Sequence, residues 1–515
     1  MRVALTVADF LDRAARVYGH RTAVVDEPGP AGSWGSLTYD ELAARAKGIA
    51  LALDDLGIAH GERVAIVSPN SGRFLASYFG VSGYGRILVP INFRLTTDEI
   101  AYVVEHSGAS VLLYDPELAD EVDTIKVAHK IRLDGTDDAA LFAPAREGAV
   151  PQAWTADEDA TCSVNYTSGT TARPKGVQLT QRNCWLNATA FGWHTGVNDR
   201  DVLLHTLPMF HCNGWGMPYA VTGMGGTHIV LRKVDGEEIL SRIEQHGVTL
   251  LCGAPAVVAA ILGAAEARTQ AGRAVPGRGT VRMVVAGAPP PSRTIERIET
   301  ELGWEFIQIY GLTETAPLLT INRAPAEWDG LDAGERAQLL SRAGVPALGV
   351  QIAVDSDGEV LAQSNHVFAG YWEQSEESAQ ALEGGWFHTG DGGYLDGAYT
   401  VISDRKKDVI ITGGENVSSI EVEDCLYQHP AVAEVAVIGV PDEKWGETIK
   451  ALVVVRPGET ATEGELIAHC RDRLAHFKAP TSVEWRDALD RTATGKLQKY
   501  KLRQPYWAGR AKSVN

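Results

Sequence analysis

The chain has 515 residues, of which 45% are hydrophobic and 22% are charged, a composition typical of globular proteins. A chain of this length exceeds what one hydrophobic core supports, so more than one domain is expected. The net charge is −19, from 66 acidic and 47 basic residues. Such a surface repels phosphate backbones and anionic lipid, which disfavours nucleic-acid and membrane-surface roles.

The N-terminal segment predicts a helix rather than a secretory signal. Asp9 and Asp12 interrupt the apolar run that a signal peptide would need. The spacing of apolar residues is helical, and the expected apolar face consists of Val7, Phe10, Leu11 and Ala14. No stretch of the sequence approaches the ~18–20 continuous apolar residues of a membrane span, so none is expected.

Cysteine and histidine are scattered along the chain. The six cysteines include no CxxC pair, which indicates a reducing cytoplasm rather than a disulfide framework. His205 and His211 are metal-ligand types, but nothing near them in the sequence completes a site. We therefore expect no structural metal.

Short β-branched runs alternate with helical stretches, which predicts α/β units with largely parallel sheets. Strands are expected within 63–70, 110–115, 249–255 and 281–290. Residues 136–153 are polar and rich in alanine and proline, and are expected to be a surface connection.

The last hundred residues have their own pattern. A charged run, a strand and a glycine pair at 404–416 precede β-runs at 431–442 and 451–459. These elements suffice for a small α+β domain. We place a boundary near Lys407, which gives an N-terminal domain of residues 1–406 and a C-terminal domain of residues 407–515.

The strongest single motif is YTSGTTARPKGV at 166–177. A turn of small residues lets backbone N–H groups face an anion, hydroxyls add donors, and a lysine adds charge. Taken alone, such a run is as readily an ordinary polar turn with a solvated lysine. The chain continues TTARPK after Gly169, so the Walker A pattern is absent, which disfavours a P-loop NTPase or kinase.

Four further motifs follow in order: YGLTE at 310–314, WFHTGD at 386–391, DRKKDVIITGGEN at 404–416 and TGK at 494–496. With them, the chain resembles the adenylate-forming superfamily, which contains acyl-CoA synthetases, peptide-synthetase adenylation domains and luciferases. The resemblance covers essentially the whole chain. It implies an α/β fold with a large N-terminal adenylation domain of packed sheets and helices and a small mobile α+β C-terminal domain.

The resemblance implies an AMP-forming acyl-CoA ligase of fatty or carboxylic acid metabolism. ATP, Mg²⁺ and coenzyme A (CoA) would be its co-substrates. The acid would become an acyl-AMP with release of pyrophosphate, and the acyl group would then pass to CoA. Since two anions must meet in the first step, catalysis is largely positioning and charge neutralisation.

The resemblance also implies roles for residues around the phosphates. The β- and γ-phosphates would be held by Thr167, Ser168, Gly169, Thr170, Thr171 and Lys175. Thr313 would contact the α-phosphate, and Glu314 and Thr170 would bind Mg²⁺, which prefers hard oxygen ligands. Lys496 would offer its charge to the transition state. Outside its TGK context, that lysine would be a solvated surface group.

The nucleoside would lie between two further motifs. Adenine would stack on Tyr310 against a wall formed by Gly287 and Ala288. Asp391 and Arg405 would hold the ribose hydroxyls. Taken alone, Tyr310 would be read as a core aromatic residue.

The second step implies a different set of residues. In the family the small domain rotates after adenylation, with Lys407 at the hinge position. Rotation would replace Lys496 by a thiol-binding face made of Gly413, Gly414, Glu415 and Asn416. Paired glycines let a thin thiol arm pass close to the backbone, although a tight turn ending a strand explains them equally. Trp445 fits the same CoA-ligase pattern.

The segment PMFHCNGW at 208–215 matches the acyl-pocket wall and gate of the family. His211 stands where amino-acid-activating relatives place an aspartate, and a neutral imidazole cannot pair a buried ammonium, so amino-acid substrates are disfavoured. A structural histidine is the alternative. Downstream glycines hint either at room for a medium-chain, aromatic or polycyclic acid or at close helix packing: Gly214, Gly216, Gly223, Gly225 and Gly226.

Two segments depart from the family pattern. Ala172 stands where the family usually has glycine, and a positive φ there would strain alanine by about 1 kcal/mol. This is either a tolerated variant or a sign of weakened adenylation, in which the protein mainly converts acyl-AMP to acyl-CoA. Residues 361–365 (LAQSN) also depart from the usual arginine–glycine pattern, with no chemistry that we can assign.

Three other functions compete with the acyl-CoA ligase. An acyl-AMP ligase loading a carrier protein would need no CoA site, and a luciferase-like oxygenase would consume oxygen. A non-catalytic nucleotide sensor would have lost Glu314 or Lys496, and both are present. Oligomeric state is not encoded visibly in the sequence, and a homodimer is a common outcome for such enzymes.

Overall fold

Aliphatic and β-branched runs form the strands of four sheets, with helices between most of them. The structure is a computed structural model that describes residues 1–27, 32–167, 173–288, 290–405, 408–412, 415–442, 444–491 and 497–508. The side chains of Arg405 and Asn416 lie outside that description.

Up to residue 405 the strands are β1 (Thr22–Val25), β2 (Ser36–Thr38), β3 (Arg63–Val67), β4 (Ile87–Ile91), β5 (Val111–Tyr114), β6 (His129–Arg132), β7 (Thr161–Thr167), β8 (Lys175–Thr180), β9 (Val202–Leu204), β10 (Thr227–Ile229), β11 (Leu250–Gly253), β12 (Arg282–Val285), β13 (Glu305–Gly311), β14 (Leu318–Arg323), β15 (Val345–Pro346), β16 (Val350–Val354), β17 (Glu359–Ser364), β18 (Gly370–Tyr371), β19 (Phe387–Asp396) and β20 (Tyr399–Arg405). The α-helices of this part are α1 (Ala8–Tyr18), α2 (Tyr39–Asp55), α3 (Gly72–Gly80), α4 (Thr97–Ser107), α5 (Ala119–Val122), α6 (Gln181–Thr195), α7 (Met217–Met224), α8 (Gly236–His246), α9 (Pro255–Gln270), α10 (Ser292–Arg297), α11 (Ala333–Leu340) and α12 (Ser375–Ala381).

Two large sheets form the frame of this part. The nine-stranded sheet has the order β15-β14-β13-β12-β11-β9-β10-β1-β2, and the seven-stranded sheet has the order β18-β8-β7-β4-β3-β5-β6. The run from β13 to β1 in the first sheet and the run from β7 to β6 in the second are parallel. Parallel strands covered on both faces read as continuous apolar runs, and every residue of β4 is buried.

A third sheet has four antiparallel strands in the order β16-β17-β19-β20. The four strands predicted within 63–70, 110–115, 249–255 and 281–290 correspond to β3, β5, β11 and β12. The prediction of parallel pairing is confirmed, since β3 pairs with β5 and β11 with β12 in parallel. The predicted N-terminal helix is α1, and Leu11 and Ala14 are buried on it.

The expected surface connection at 136–153 is wrong at its centre. Leu141 and Phe142 are buried, and the ring of Phe142 lies 5.4 Å from that of Trp34. The reason lies on α2, where a Cβ atom on Gly48 would come 1.8 Å from the carbonyl oxygen of Ala143. The absence of a side chain at that position lets the connection pack against the helix.

After residue 405 the strands are β21 (Ile410–Thr412), β22 (Glu415–Val417), β23 (Val432–Asp442), β24 (Gly446–Val455) and β25 (Ser482–Trp485), and the α-helices are α13 (Ser419–Tyr427), α14 (Glu463–Arg471) and α15 (Lys499–Trp507). They form a sheet of order β22-β21-β24-β23 with β25 on β24. Its apolar side chains form two clusters drawn from residues 410–506. The predicted small α+β unit is confirmed, and the boundary between residues 406 and 407, which the structure does not describe, stays a prediction. Within the described ranges, none of the helices has the length and apolar character needed to cross a bilayer.

Candidate active site

The hairpin of β7 and β8 carries both ends of the predicted phosphate loop. Thr167 pairs with Lys175 in its register, so the two described phosphate-binding candidates face each other across the hairpin. Both side chains are half-buried. The other loop candidates lie outside the described residues: Ser168, Gly169, Thr170, Thr171 and Ala172.

The helix α4 contacts the chain on both sides of the predicted phosphate loop. The Tyr166 hydroxyl lies 2.8 Å from Nδ1 of His106, and the Tyr102 hydroxyl donates to the carbonyl of Pro174 at 3.2 Å. Burial raises the pKa of Tyr166, so its hydroxyl stays protonated. The hairpin is therefore held from one side by a helix that lies outside the sequence motifs.

The predicted adenine and ribose motifs are in direct contact. The Tyr310 hydroxyl donates to Oδ2 of Asp391 at 2.8 Å, and Asp391 is buried. Val285 pairs with Gln308, so Gly287 and Tyr310 each lie two residues beyond that pair, at the carboxyl ends of neighbouring parallel strands.

Gly287 and Ala288, which are predicted to form the adenine wall, follow β12. Gly287 has φ +95°, in the left-handed region that an L side chain rarely adopts, which explains the glycine in physical terms. Arg405 lies opposite Asp391 in the register of β19 and β20, and its side chain lies outside the described residues.

Tyr371 connects the β7–β8 hairpin to Glu314, the predicted Mg²⁺ ligand. The Tyr371 hydroxyl donates to Oε1 of Glu314 at 2.9 Å. The Lys175 ammonium lies 4.7 Å from the centroid of the same tyrosine ring. Burial, with the nearby carboxylate, raises the pKa of Tyr371, so the hydroxyl is a donor at neutral pH.

The turn Thr313–Thr315 presents Thr313 and Glu314 after β13. The backbone N–H of Leu312 donates to the hydroxyl of Thr315 at 3.0 Å, which fixes the turn. The carbonyl oxygen of Glu314 accepts from the backbone N–H of Phe368 at 2.8 Å. The main chain of the predicted Mg²⁺ ligand is thus held independently of its carboxylate.

The segment His211–Gly216 has an unusual backbone. Cys212, Asn213 and Trp215 have φ of +46°, +51° and +60°, which costs about 1–2 kcal/mol for each non-glycine residue. Strain of this kind persists only where the surroundings enforce it. The amide of Asn213 donates to Ser163 Oγ at 2.7 Å, and Asn187 donates to the carbonyl of Trp215 at 3.1 Å.

The first of these bonds connects the predicted acyl gate to β7, the strand that leads into the predicted phosphate loop, and the second connects it to α6. His211 itself is half-buried, and its ring lies 6.5 Å from that of Phe210, which in turn lies 5.7 Å from Phe93. The rings of Phe93, Phe210 and His211 therefore form an aromatic side of the gate.

The glycines beyond the gate serve packing. A Cβ atom on Gly223 would lie 2.6 Å from Phe10, and one on Gly225 would lie 2.2 Å from Tyr18, both on α1. Added Cβ atoms at the other three positions would meet protein atoms at 3.0 Å or less: Gly214, Gly216 and Gly226. Of the two readings of these glycines, the structure favours close packing over room for a bulky acid.

The predicted thiol-binding motifs lie next to each other in the C-terminal sheet. Thr412 pairs with Glu415 across the β21–β22 hairpin and with Gly446 of β24, which places that hairpin beside Trp445. Trp445 is exposed, and the Lys444 ammonium lies 4.3 Å from its ring centroid. The remaining candidates of this face, the hinge and the catalytic lysine lie outside the described residues: Lys407, Gly413, Gly414 and Lys496.

The sequence motifs include neither Tyr371 nor the residues of α4 that contact the chain beside the predicted phosphate loop. The sequence signal for Tyr371 is weak, because β18 has two residues and its pairing with β8 is a tertiary contact. The motifs also give residues 361–365 no role. Asn183 donates to the carbonyls of Asn365 and Val367 at 2.8 and 2.9 Å, so the end of this stretch is bonded to α6.

His205 also has a partner that the sequence did not reveal. Its Nε2 lies 3.0 Å from Nδ1 of His228, whose Nε2 lies 3.0 Å from the Thr222 hydroxyl. Both rings are buried, and burial lowers the pKa of His205 to about 3. The two imidazoles are therefore neutral at pH 7 and form an interior hydrogen-bonded pair.

Comparisons with known proteins agree with this geometry. The AMP-binding enzyme family matches residues 11–372, and the AMP-binding enzyme C-terminal domain matches residues 421–496. The chain is 36% identical to a 2-methylpropanoate–CoA ligase of Humulus lupulus and 37% identical to a 4-hydroxybutyrate–CoA ligase of Metallosphaera sedula. Each alignment covers 97% of this chain and 94% of the relative.

A solved structure with the same fold is that of an anthranilate–CoA ligase in complex with anthranoyl-AMP. Its TM-score is 0.86 at 25% identity, with 98% of each chain covered. The chain therefore belongs to the AMP-binding enzyme family, with the large N-terminal and small C-terminal domains of adenylate-forming proteins. Within that class it is an AMP-forming acyl-CoA synthetase, for which ATP and CoA are substrates.

Proposed function

We propose that the protein joins an apolar carboxylic acid to CoA through an acyl-AMP, using the residues described above. The observation that carries the proposal is the hydrogen bond between Tyr310 and Asp391, by which the adenine motif meets the ribose motif. A carboxylate has about four acceptor positions, so Asp391 can hold this tyrosine and a ribose diol together. Adenine then stacks on Tyr310 beside Gly287 and Ala288.

In the first step an oxygen of the substrate carboxylate attacks the α-phosphorus, and the bond to the β-phosphate breaks as pyrophosphate leaves. Lys175, with Thr167 and the loop that follows it, binds the leaving phosphates. Thr313 orients the α-phosphate, and Lys496 neutralises the charge between the two reacting anions. The turn that holds Thr313 is fixed by Thr315, which supports a positioning role.

Glu314 fits a Mg²⁺ ligand by its chemistry. Its carboxylate accepts a hydrogen bond from Tyr371, and hard oxygen donors are what Mg²⁺ prefers. The described residues contain no group of three or more His, Cys, Asp or Glu side chains able to hold a metal ion. This fits an ion that is bound by one or two protein ligands, Glu314 and Thr170, together with the ATP phosphates, whose charge it neutralises.

The acid binds beside the gate segment. The described rings there belong to Phe93, Phe210 and His211, and a neutral imidazole supplies no counter-charge for an ammonium. The names of the relatives, which include 2-methylpropanoate, 4-hydroxybutyrate and trans-cinnamate, also point to acids without an α-amino group. Because the glycines near the gate pack against protein atoms, we propose a short- to medium-chain or aromatic acid over a polycyclic one.

In the second step the CoA thiol releases its proton to solvent and its sulfur bonds to the acyl carbon, while the bond from that carbon to the phosphate oxygen breaks and AMP leaves. The β21–β22 hairpin with Glu415, next to the exposed Trp445, is the face we propose for the pantetheine arm. Gly413 and Gly414 would let it pass close to the backbone, and Lys407 would be the hinge that brings this face into place.

The test is to incubate the protein with Mg-ATP, CoA and a panel of acids, following pyrophosphate and acyl-CoA together. The panel includes 2-methylpropanoate, octanoate, cinnamate and an α-amino acid as the negative control. We expect both products in step for one apolar class and neither with the amino acid. No pyrophosphate with any acid, but acyl-CoA from synthetic acyl-AMP, would contradict full ligase activity and favour the alternative in which Ala172 weakens adenylation. A gain in pyrophosphate release by the Ala172→Gly variant would then identify the cause.

A further inference from the structure

Tyr371 lies between the two groups of opposite charge that are proposed to receive Mg-ATP. Its hydroxyl donates to Glu314 Oε1 at 2.9 Å, and its ring face lies 4.7 Å from the Lys175 ammonium. One side chain therefore contacts the anion through its polar end and the cation through its ring. All three residues are half-buried.

A lysine and a carboxylate this close to one side chain would ordinarily form an ion pair. In the part of the chain that the structure describes, Lys175 has no carboxylate within 4.0 Å. A direct pair between Lys175 and Glu314 would have to break before phosphate and Mg²⁺ could take their places. A cation over a tyrosine ring is held more weakly and is released to phosphate more readily.

Tyr371 is fixed well enough to act as a spacer. Its strand β18 pairs with β8 at Val177, two residues after Lys175, and its backbone N–H donates to Ser378 Oγ at 2.8 Å. The ring of Phe368 packs 4.8 Å from that of Tyr371, and the backbone N–H of Phe368 holds the carbonyl of Glu314. The spacer and its carboxylate partner thus share one rigid frame.

We infer that Tyr371 is a positioning residue that keeps Lys175 and Glu314 apart and aligned, so that the two are not paired with each other when Mg-ATP binds. This inference rests on the proposed phosphate role of Lys175 and the proposed Mg²⁺ role of Glu314. The two ends of Tyr371 act separately. The hydroxyl orients the carboxylate, and the ring holds the ammonium away from it.

Two substitutions separate these contributions. Tyr371→Phe removes the hydroxyl and keeps the ring, and Tyr371→Leu removes both. The matched control is Tyr394→Phe, at an exposed position of β19 away from these contacts. The readout is calorimetric binding of α,β-methylene-ATP with Mg²⁺ and with EDTA, alongside the rate of acyl-CoA formation from synthetic acyl-AMP.

We expect Tyr371→Phe to bind the nucleotide as wild type does in EDTA and to lose about tenfold of the gain that Mg²⁺ provides. Tyr371→Leu should in addition bind about tenfold more weakly in EDTA, because the lysine then pairs with the carboxylate. Both variants should form acyl-CoA from acyl-AMP at the wild-type rate, since that step needs no triphosphate. A purely structural tyrosine would instead slow both half-reactions alike, and that result would overturn the inference.

Further variants separate this inference from the proposed function. If Lys175→Met and Glu314→Gln bind Mg-nucleotide as wild type does, the proposed roles are wrong. If they lose binding while both Tyr371 variants keep it, only the spacer role is wrong.

In a Lys175→Met background, Tyr371→Leu should cause no further loss of nucleotide binding in EDTA. A further loss would show that the ring acts by another route. Should Tyr371→Leu fail to fold, Tyr371→Phe still tests the role of the hydroxyl, and an undiminished gain from Mg²⁺ in that variant would overturn the inference.

Discussion

Lys175 and Lys499 are both shielded from solvent, yet their surroundings differ. Lys499 is 11% exposed at its side chain, lies 2.8 Å from the carboxylate of Glu423 and donates to the Ser419 hydroxyl. That hydroxyl also donates to Asp404. Lys175 lies over the ring of Tyr371 instead. The first lysine has its charge compensated inside the protein, and the second is held by a neutral ring.

The pKa of Lys499 shows the consequence. Burial by itself would lower it, but the charges of Glu423 and Asp404 outweigh burial, so the pKa is raised. The cluster of Asp404, Ser419, Glu423 and Lys499 joins the end of β20 to α13 and α15. These two helices precede and follow β23–β25 along the chain. A compensated charge serves to hold the chain together, whereas a charge held by a neutral ring can be given to a ligand. The following predictions test that distinction.

The largest effect is expected for Lys499→Met. It leaves Glu423 buried without its counter-charge, which typically costs about 3–5 kcal/mol. Urea unfolding followed by tryptophan fluorescence should show this loss in the transition of the C-terminal elements.

The double variant Lys499→Met, Glu423→Gln is the control for that prediction. The neutral amide removes the uncompensated charge and keeps an acceptor for the backbone N–H of Val437. Most of the lost stability should return. If the double variant is as unstable as the single one, the loss came from packing, and the contrast between the two lysines fails.

Lys175→Met should show the opposite behaviour. We expect pyrophosphate release to fall by about 10²–10³-fold, as for other groups that stabilise charge in a transition state. The free energy of unfolding should change by no more than about 0.5 kcal/mol, because no buried partner is left uncompensated. A marked loss of stability would place Lys175 in the same class as Lys499.

A smaller effect is expected from the neutral His205–His228 pair. The folded-state pKa of His205, about 3, lies below the ordinary value of 6.5, so the unfolded chain binds the extra proton first as pH falls. The stability that His205 provides is complete above pH ~6.5 and is lost as pH falls towards about 3. At one unit below 6.5 the loss is about 1.4 kcal/mol.

The measurement is the pH slope of the unfolding free energy. His205→Gln, which can still bond to His228, should reduce the slope below pH ~6.5 by about one proton. His20→Gln, at an exposed histidine, is the control for the effect of replacing an imidazole by an amide. An unchanged slope in His205→Gln would mean that this ring is protonated in the folded protein and that the pair is a charged site.

The sequence by itself determined the class of fold, the order of the motifs and the chemistry they serve. Local patterns carry that information, because a buried parallel strand such as β4 reads as an apolar run and Gly287 is required by a positive φ. The family resemblance, carried by five ordered motifs, is confirmed by the matches to both domains.

Only the tertiary structure decided which side chains meet across distant parts of the chain. Tyr371 reaches Glu314 across 57 positions, His205 meets His228 through adjacent parallel strands, and Gly223 faces α1. Such contacts depend on strand order and helix packing, which no local spacing encodes. The sequence therefore predicted the groups that carry the proposed chemistry, and the fold determined which side chains contact one another.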